Sequence, residues 1–196
     1  MFLPFSKRGK RWEPTGLSLR AMLGLGPDAP LDPWELAPKV GLTVVDRAAI
    51  LEILDDYEKS HLLDTAGQSW SGGVYPTPLP DGTYLCILNP THSHRRNKIT
   101  LMEEIVHTHL NHKPSRLLIV AGGVQIRDYD NAQEEEAFGV GAAALLPWKL
   151  FFIALNAGQT IDEIAEHREV TPDLVKYRIK ITGAYRLYQA RQKQKA

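Results

Sequence analysis

Glutamate and histidine at helical spacing mark the part of this sequence best equipped for chemistry. The run Thr100-Leu101-Met102-Glu103-Glu104-Ile105-Val106-His107-Thr108-His109-Leu110-Asn111-His112 contains neither Pro nor Gly and reads as a helix. At 3.6 residues per turn Glu103 and His107 stack on one strip, and Glu104, three before His107, occupies an adjoining one. Imidazole and carboxylate are ligands for a divalent cation, and a carboxylate beside a cation-bound water is a general base. The opposite strip, Leu101, Ile105 and Leu110, is apolar and suited to burial. A helix that spends its polar side on two Glu and a His while hiding the rest is organised like a metal-binding active-site helix.

The frame Glu103-Glu104-x-x-His107 is similar to the H-E-x-x-H helix of zinc metallopeptidases, with a carboxylate at the first metal position. Thr100-Leu101-Met102 before it and Leu110-Asn111-His112 after it resemble the active-site segment of the ImmA/IrrE family of metallopeptidases. So do the preceding Arg95-Arg96 with Thr100-Leu101, the phrase from Pro30 to Val45, and the run from Glu136-Ala137 to Leu145-Leu146-Pro147, which fits the family's third-ligand segment without a gap. The resemblance implies a zincin-like α+β domain with a small antiparallel sheet. It implies Glu103, His107 and Glu136 as metal ligands and Glu104 as the catalytic base. The cofactor would be a divalent metal, zinc in the family; two carboxylates in place of one leave the ion less positive and favour a harder ion such as manganese or iron. The activity implied is endopeptidase action on a protein regulator, typically a repressor or antitoxin encoded nearby. The competing reading is a noncatalytic regulatory module of the same fold that binds a protein partner or DNA.

The elements that must position this chemistry can be read in order. Residues 1–29, with Lys7, Arg8, Lys10, Arg11 and several Gly and Pro, are expected to form an irregular arm. Residues 30–157 would form the metallopeptidase domain. Asp32-Pro33 starts a short helix that stops near Gly41, and Leu42-Thr43-Val44-Val45 follows as a strand. Arg47 to Lys59 carries the apolar spacing of an amphipathic helix. Ser71 to Tyr75 and Thr83 to Asn89 flank a turn-rich link and suggest antiparallel neighbours, the first an edge strand able to pair with an extended peptide. His92 and His94 read as surface residues of a loop. Leu117 to Val120 and Val124 to Ile126 suggest a hairpin. A second helix runs from Asn131 to Pro147; Glu134 and Glu135 are read as first-turn acids that suit the helix dipole. Its small residues, Gly139, Gly141, Ala142, Ala143 and Ala144, would let it approach the active-site helix. His109 points to roughly the opposite side of the helix from the ligand strip, and His112 is also badly angled for it.

Residues 158–196 read as a helix-turn-helix-like extension with a basic tail. Thr160 with Glu163, and Thr171 with Pro172, are helix starts. A DNA-reading version would offer Lys176, Tyr177, Arg178 and Lys180. From Leu174 to the end there are seven Lys or Arg and no acid, although the whole chain of 196 residues has a formal net charge of +0 and no global pull toward nucleic acid. The single Cys86 lies in an apolar run and reads as buried. No segment has the apolar length of a signal or membrane span, so a cytoplasmic setting without membrane contact is expected.

Overall fold

A computed structural model of the chain describes residues 3–45, 52, 55–61, 70–112, 116–119, 125–128 and 130–195. The N-terminal stretch is not the irregular arm expected of it. It forms helix α1 (Lys7–Ala21), capped by Ser6, whose hydroxyl accepts from the Gly9 amide at 2.9 Å. Lys7, Arg8, Lys10 and Arg11 lie on its exposed side, while Trp12, Glu13, Gly16, Leu19 and Arg20 are buried. Two of those buried residues are charged, which is why the sequence alone reads as a solvated segment.

Asp32 caps the short helix α2 (Pro33–Leu36), its carboxylate accepting from the Trp34 amide at 2.9 Å. A 3-10 turn over Ala37–Val40 follows, and Gly41 ends it at φ 81, a left-handed backbone that favours glycine. Strand β1 (Leu42–Val45) comes next, as expected. Of the helix expected over Arg47 to Lys59, Asp56 onward belongs to helix α3 (Asp56–His61); most of the rest lies outside the described residues. Strands β2 (Gly72–Val74) and β3 (Tyr84–Leu88) are the antiparallel neighbours foreseen, with Gly73 opposite Ile87. The strand order is β1-β3-β2, so β2 is an edge strand, and β1 runs parallel to β3, which makes the sheet mixed. Cys86 sits on the central strand and is fully buried.

Helix α4 (His94–His109) lies across this sheet, and its Thr100 packs where a side chain at Gly72 would stand, 2.8 Å from a Cβ placed there. The expected hairpin is β4 (Arg116–Ile119) with β5 (Gln125–Asp128). Helix α5 (Asn131–Leu145) then packs between α4 and α1. Its small residues serve both neighbours. Gly141 faces Met102 of α4, whereas Gly139 lies under the Trp12 indole, where a Cβ would fall 2.4 Å from the ring. Gly16 of α1 in turn rests against Ala143 and Ala144.

Helices α6 (Trp148–Asn156), α7 (Ile161–Arg168), α8 (Pro172–Thr182) and α9 (Tyr185–Lys195) complete the chain. Thr160 and Glu163 cap α7 reciprocally: the Thr160 amide donates to Glu163 Oε2 at 2.7 Å, and the Glu163 amide donates to Thr160 Oγ1 at 3.1 Å. These helices are not peripheral, because Ile164, Val170, Leu174, Val175 and Ile179 share one hydrophobic cluster with Leu101 and Val140. Two buried cations stitch the layers. Arg178 donates to Glu13 Oε2 at 3.0 Å, and the other Glu13 oxygen accepts from the Trp148 amide. Arg20 donates to the carbonyls of Ala144 and Gly26, each at 2.7 Å, and to that of Ala29. Among the described residues no single helix is long and apolar enough to cross a membrane.

Candidate metal centre

Helix α4 carries most of the candidate chemistry, and its entry is fixed by the fully buried Asn89. The Asn89 side chain accepts from the Thr91 amide and hydroxyl at 2.8 and 2.7 Å and donates to the Trp70 carbonyl at 2.7 Å. Ser93 then caps the helix through the Arg96 amide at 3.3 Å. Leu101, Met102, Ile105 and Val106 are completely buried, which leaves Glu103, Glu104 and His107 on the half-exposed side. His94 stacks on Trp34 with ring centroids 4.6 Å apart, an aromatic contact that accounts for it without a metal.

The helix stops at His109, earlier than the sequence suggests. Asn111 adopts a left-handed backbone at φ 52, and the His112 amide donates back to the His107 carbonyl at 2.9 Å. This reversal swings the His112 ring beneath His107, with the two Nδ1 atoms 3.0 Å apart. Helical angles do not apply past His109, so His112 meets the His107 ring from a direction that helical spacing does not give.

Across from them, Asp130 caps α5, accepting from the amides of Ala132 and Gln133 at 2.9 and 3.3 Å. The carboxylate that reaches His107 is Glu134, with Oε2 3.6 Å from His107 Nε2. Glu136 instead places Oε2 3.4 Å from His112 Nε2 and Oε1 3.4 Å from the Arg11 guanidinium. Residues two apart on a helix point about 200° away from one another, so Glu134 and Glu136 cannot serve the same point. The expected trio Glu103, His107 and Glu136 is thus not the set brought together. Glu134, read as a dipole-stabilising acid, and His112 are the residues that sequence reasoning missed. The signal for His112 was the Asn111-His112 pair, since Asn is among the residues that tolerate the left-handed backbone.

The electrostatics are those of crowded negative charge. Burial pushes the Glu103 carboxyl up to about 8, and the carboxylates of Glu104 and Glu134 add to the rise. Burial also pulls His107 below its ordinary value; Glu134 opposes that fall and His112 adds to it. The Cys86 thiol is pushed up to about 12 by burial and then by the charge of Glu104.

Among the described residues no three His, Cys, Asp or Glu side chains converge closely enough to hold an ion. The donor types nevertheless fit a divalent metal. The 3.6 Å between His107 Nε2 and Glu134 Oε2 is close to the separation of about 3.3 Å that two tetrahedral bonds of about 2.0 Å produce. His107 and Glu134 would form that edge, and Glu103 lies near enough to feel the charge of Glu134.

A comparison with curated proteins gives no match. The family model described as IrrE N-terminal-like domain, peptidase M78, matches residues 57–180, more than half of the chain. With its mixed α+β architecture and its Glu and His side chains meeting between two packed helices, the chain belongs to this metallopeptidase-type family.

Proposed function

We propose that the protein is a metal-dependent endopeptidase of the cytoplasm that hydrolyses peptide bonds of a regulatory protein, a repressor or antitoxin. The observation that supports this most is the pairing of His107 with Glu134 across two helices, 3.6 Å apart and near the partly buried Glu103 carboxyl. A divalent ion bound there supplies Lewis acidity. Glu104, on the adjoining strip of α4, is the carboxylate that takes up and returns the proton of the attacking water. The edge strand β2 offers backbone groups to an extended peptide. Two carboxylates among the donors make the ion a weaker acid than a site with two imidazoles, so turnover is slow or a harder ion is preferred.

A second reading, a noncatalytic module that binds a partner, is favoured by the failure of three donors to converge among the described residues. Its DNA-binding version has lost two of its four contacts, because Arg178 is wholly buried and so is the Tyr177 hydroxyl. One experiment separates the readings. The protein loaded with Zn(II), Mn(II) or Fe(II) is incubated with a candidate repressor substrate. Loss of the full-length repressor band, abolished by chelator and by Glu104→Gln, supports the peptidase. Substoichiometric metal that His107→Ala does not change, together with an intact repressor, rules it out.

A further inference from the structure

Arg96 is a cation of helix α4 whose charge the described fold leaves unanswered. Its neighbours are paired: Arg95 meets Glu166 at 2.7 Å, and the buried Lys98 ammonium lies 3.3 Å from the Arg168 carbonyl and 3.5 Å from Glu169. The Arg96 guanidinium donates to the Ser71 hydroxyl at 3.4 Å. Arg96 is exposed, and among the described residues no carboxylate pairs with it.

Helical spacing places this charge relative to the site. Residues seven and eleven apart fall within about 40° of one another around a helix, so Arg96, Glu103 and His107 share one strip of α4. Thr100, within that strip, packs at Gly72 of β2, 2.8 Å from a Cβ placed there. Three contacts then set the direction. Arg96 touches Ser71, Thr100 lies at Gly72, and the charge of Glu104 reaches Cys86, which stands opposite Val74. Helix and strand advance side by side, with the Glu and His cluster toward the Val74 end and Arg96 at the Ser71 end.

Strand β2 has backbone groups to offer along the same line. The Ser71 carbonyl accepts from the Asn89 amide at 2.9 Å, and the Tyr75 amide donates to the Leu85 carbonyl at 2.8 Å, so both residues continue the ladder with β3. Alternation along an antiparallel strand turns the amides and carbonyls of Gly72 and Val74 to the outer side. Among the described residues no strand pairs with them there. A peptide held on that edge and cut beside Glu103 and His107 meets Arg96 about 10–16 Å along the helix axis, at 1.5 Å per helical residue. In an extended chain that span is about three to five residues.

We infer that Arg96 is a specificity residue, which selects a substrate carrying an Asp or Glu side chain about three to five residues to one side of the cleaved bond. For the cut this rests on the proposed function; for the binding it rests on β2 and Arg96 alone. An exposed guanidinium–carboxylate pair separates Glu from Lys at that position by a factor of about 3–10. The pair is formed before the reaction and persists through it, so it acts on KM and leaves kcat unchanged.

Fluorescein-labelled extended peptides of Thr and Val, carrying one Glu or one Lys at each position in turn, test the binding by anisotropy on the metal-free protein. The tightest Glu peptides should outbind their Lys counterparts by about 3–10-fold in the wild type. Arg96→Gln should abolish the difference, Arg96→Lys retain it and Arg96→Glu reverse it. Arg95→Gln, which removes the adjacent charge paired with Glu166, should leave it unchanged. Equal binding of Glu and Lys peptides, a preference that survives Arg96→Gln, or no peptide binding at all overturns the inference. The same peptides offered to the protein loaded with Zn(II) or Mn(II) give the second readout: Arg96→Gln should raise KM for the Glu series by about 3–10-fold at unchanged kcat. Selective binding without cleavage would discard the peptidase and keep Arg96 as a peptide-recognition residue. Cleavage indifferent to Glu or Lys would keep the peptidase and discard the inference.

Discussion

Glu13 and Arg178 lie 165 positions apart and meet as an ion pair 3.0 Å long, with their side chains 2% and 0% exposed. Desolvating two charges is costly, and their attraction repays it only while both remain. Removing one partner strands the other. Glu13→Ala or Arg178→Ala is therefore expected to destabilise the protein by about 3–5 kcal/mol in urea unfolding, whereas replacing both together with apolar residues should recover much of the loss. Additive losses in the double variant would contradict this account.

The small residues of α5 predict an asymmetry. A Cβ at Gly139 would stand 2.4 Å from the Trp12 ring, a contact that only movement of α1 can relieve. At Gly141 the nearest atom is Met102 Cγ at 3.2 Å, part of a flexible side chain. Gly139→Ala should cost about 1–3 kcal/mol. Gly141→Ala should be close to neutral, because the gain in helix propensity of up to about 1 kcal/mol offsets the adjustment. Melting curves of the two variants check the difference.

Much of this architecture is legible in the sequence because its signals are local. Asp32-Pro33, Gly41, Thr160 with Glu163, and Thr171-Pro172 act within three or four residues of themselves, and each ends or begins an element where expected. Helix α1 is not legible for the opposite reason. Glu13 and Arg20 look solvated until Arg178 and the carbonyls of Gly26, Ala29 and Ala144 are brought to them by the rest of the fold. The site divides the same way. The strip of Glu103, Glu104 and His107 follows from helical spacing, but the choice of Glu134 over Glu136 depends on how α5 is rotated against α1 and α4. The return of His112 depends on one left-handed residue, Asn111.

Three consecutive acids give a sharp test of that rotation. Glu134 faces His107, while Glu135 reaches outward to Arg8 at 2.9 Å. Glu134→Ala should reduce bound Zn(II) to background in elemental analysis after gel filtration. Glu135→Ala should leave the stoichiometry unchanged. Equal losses in both would show that the first turn of α5 contributes only a general negative field.

Tyr177 predicts a pH dependence. Its ring packs edge-on against Phe138, with centroids 4.5 Å apart. Burial pushes its phenol up to about 12 from 10.0; Glu135 adds to the rise, and Arg178 and Arg8 oppose it. Between those values the folded protein keeps a proton that the unfolded chain has released. Stability therefore falls as pH rises through this window, and the group imposes no penalty below it. Tyr177→Phe should match the wild type in urea midpoint at neutral pH and exceed it above pH 10. A parallel decline in both proteins would assign the alkaline loss to other groups.

The amides of Phe5 and Ser6 both donate to the Thr182 carbonyl, each at 3.0 Å, so the first helix is tethered to one of the last. During synthesis at roughly 5–20 residues per second, α1 emerges and then waits on the order of ten seconds or more before its partners leave the ribosome. Until then Trp12 and Leu19 have no core to enter, and the Glu13 carboxylate has no counter-ion. A nascent chain that stalls ahead of α8 offers an apolar helix face to chaperones, which makes the emergence of α8 the event that closes the molecule.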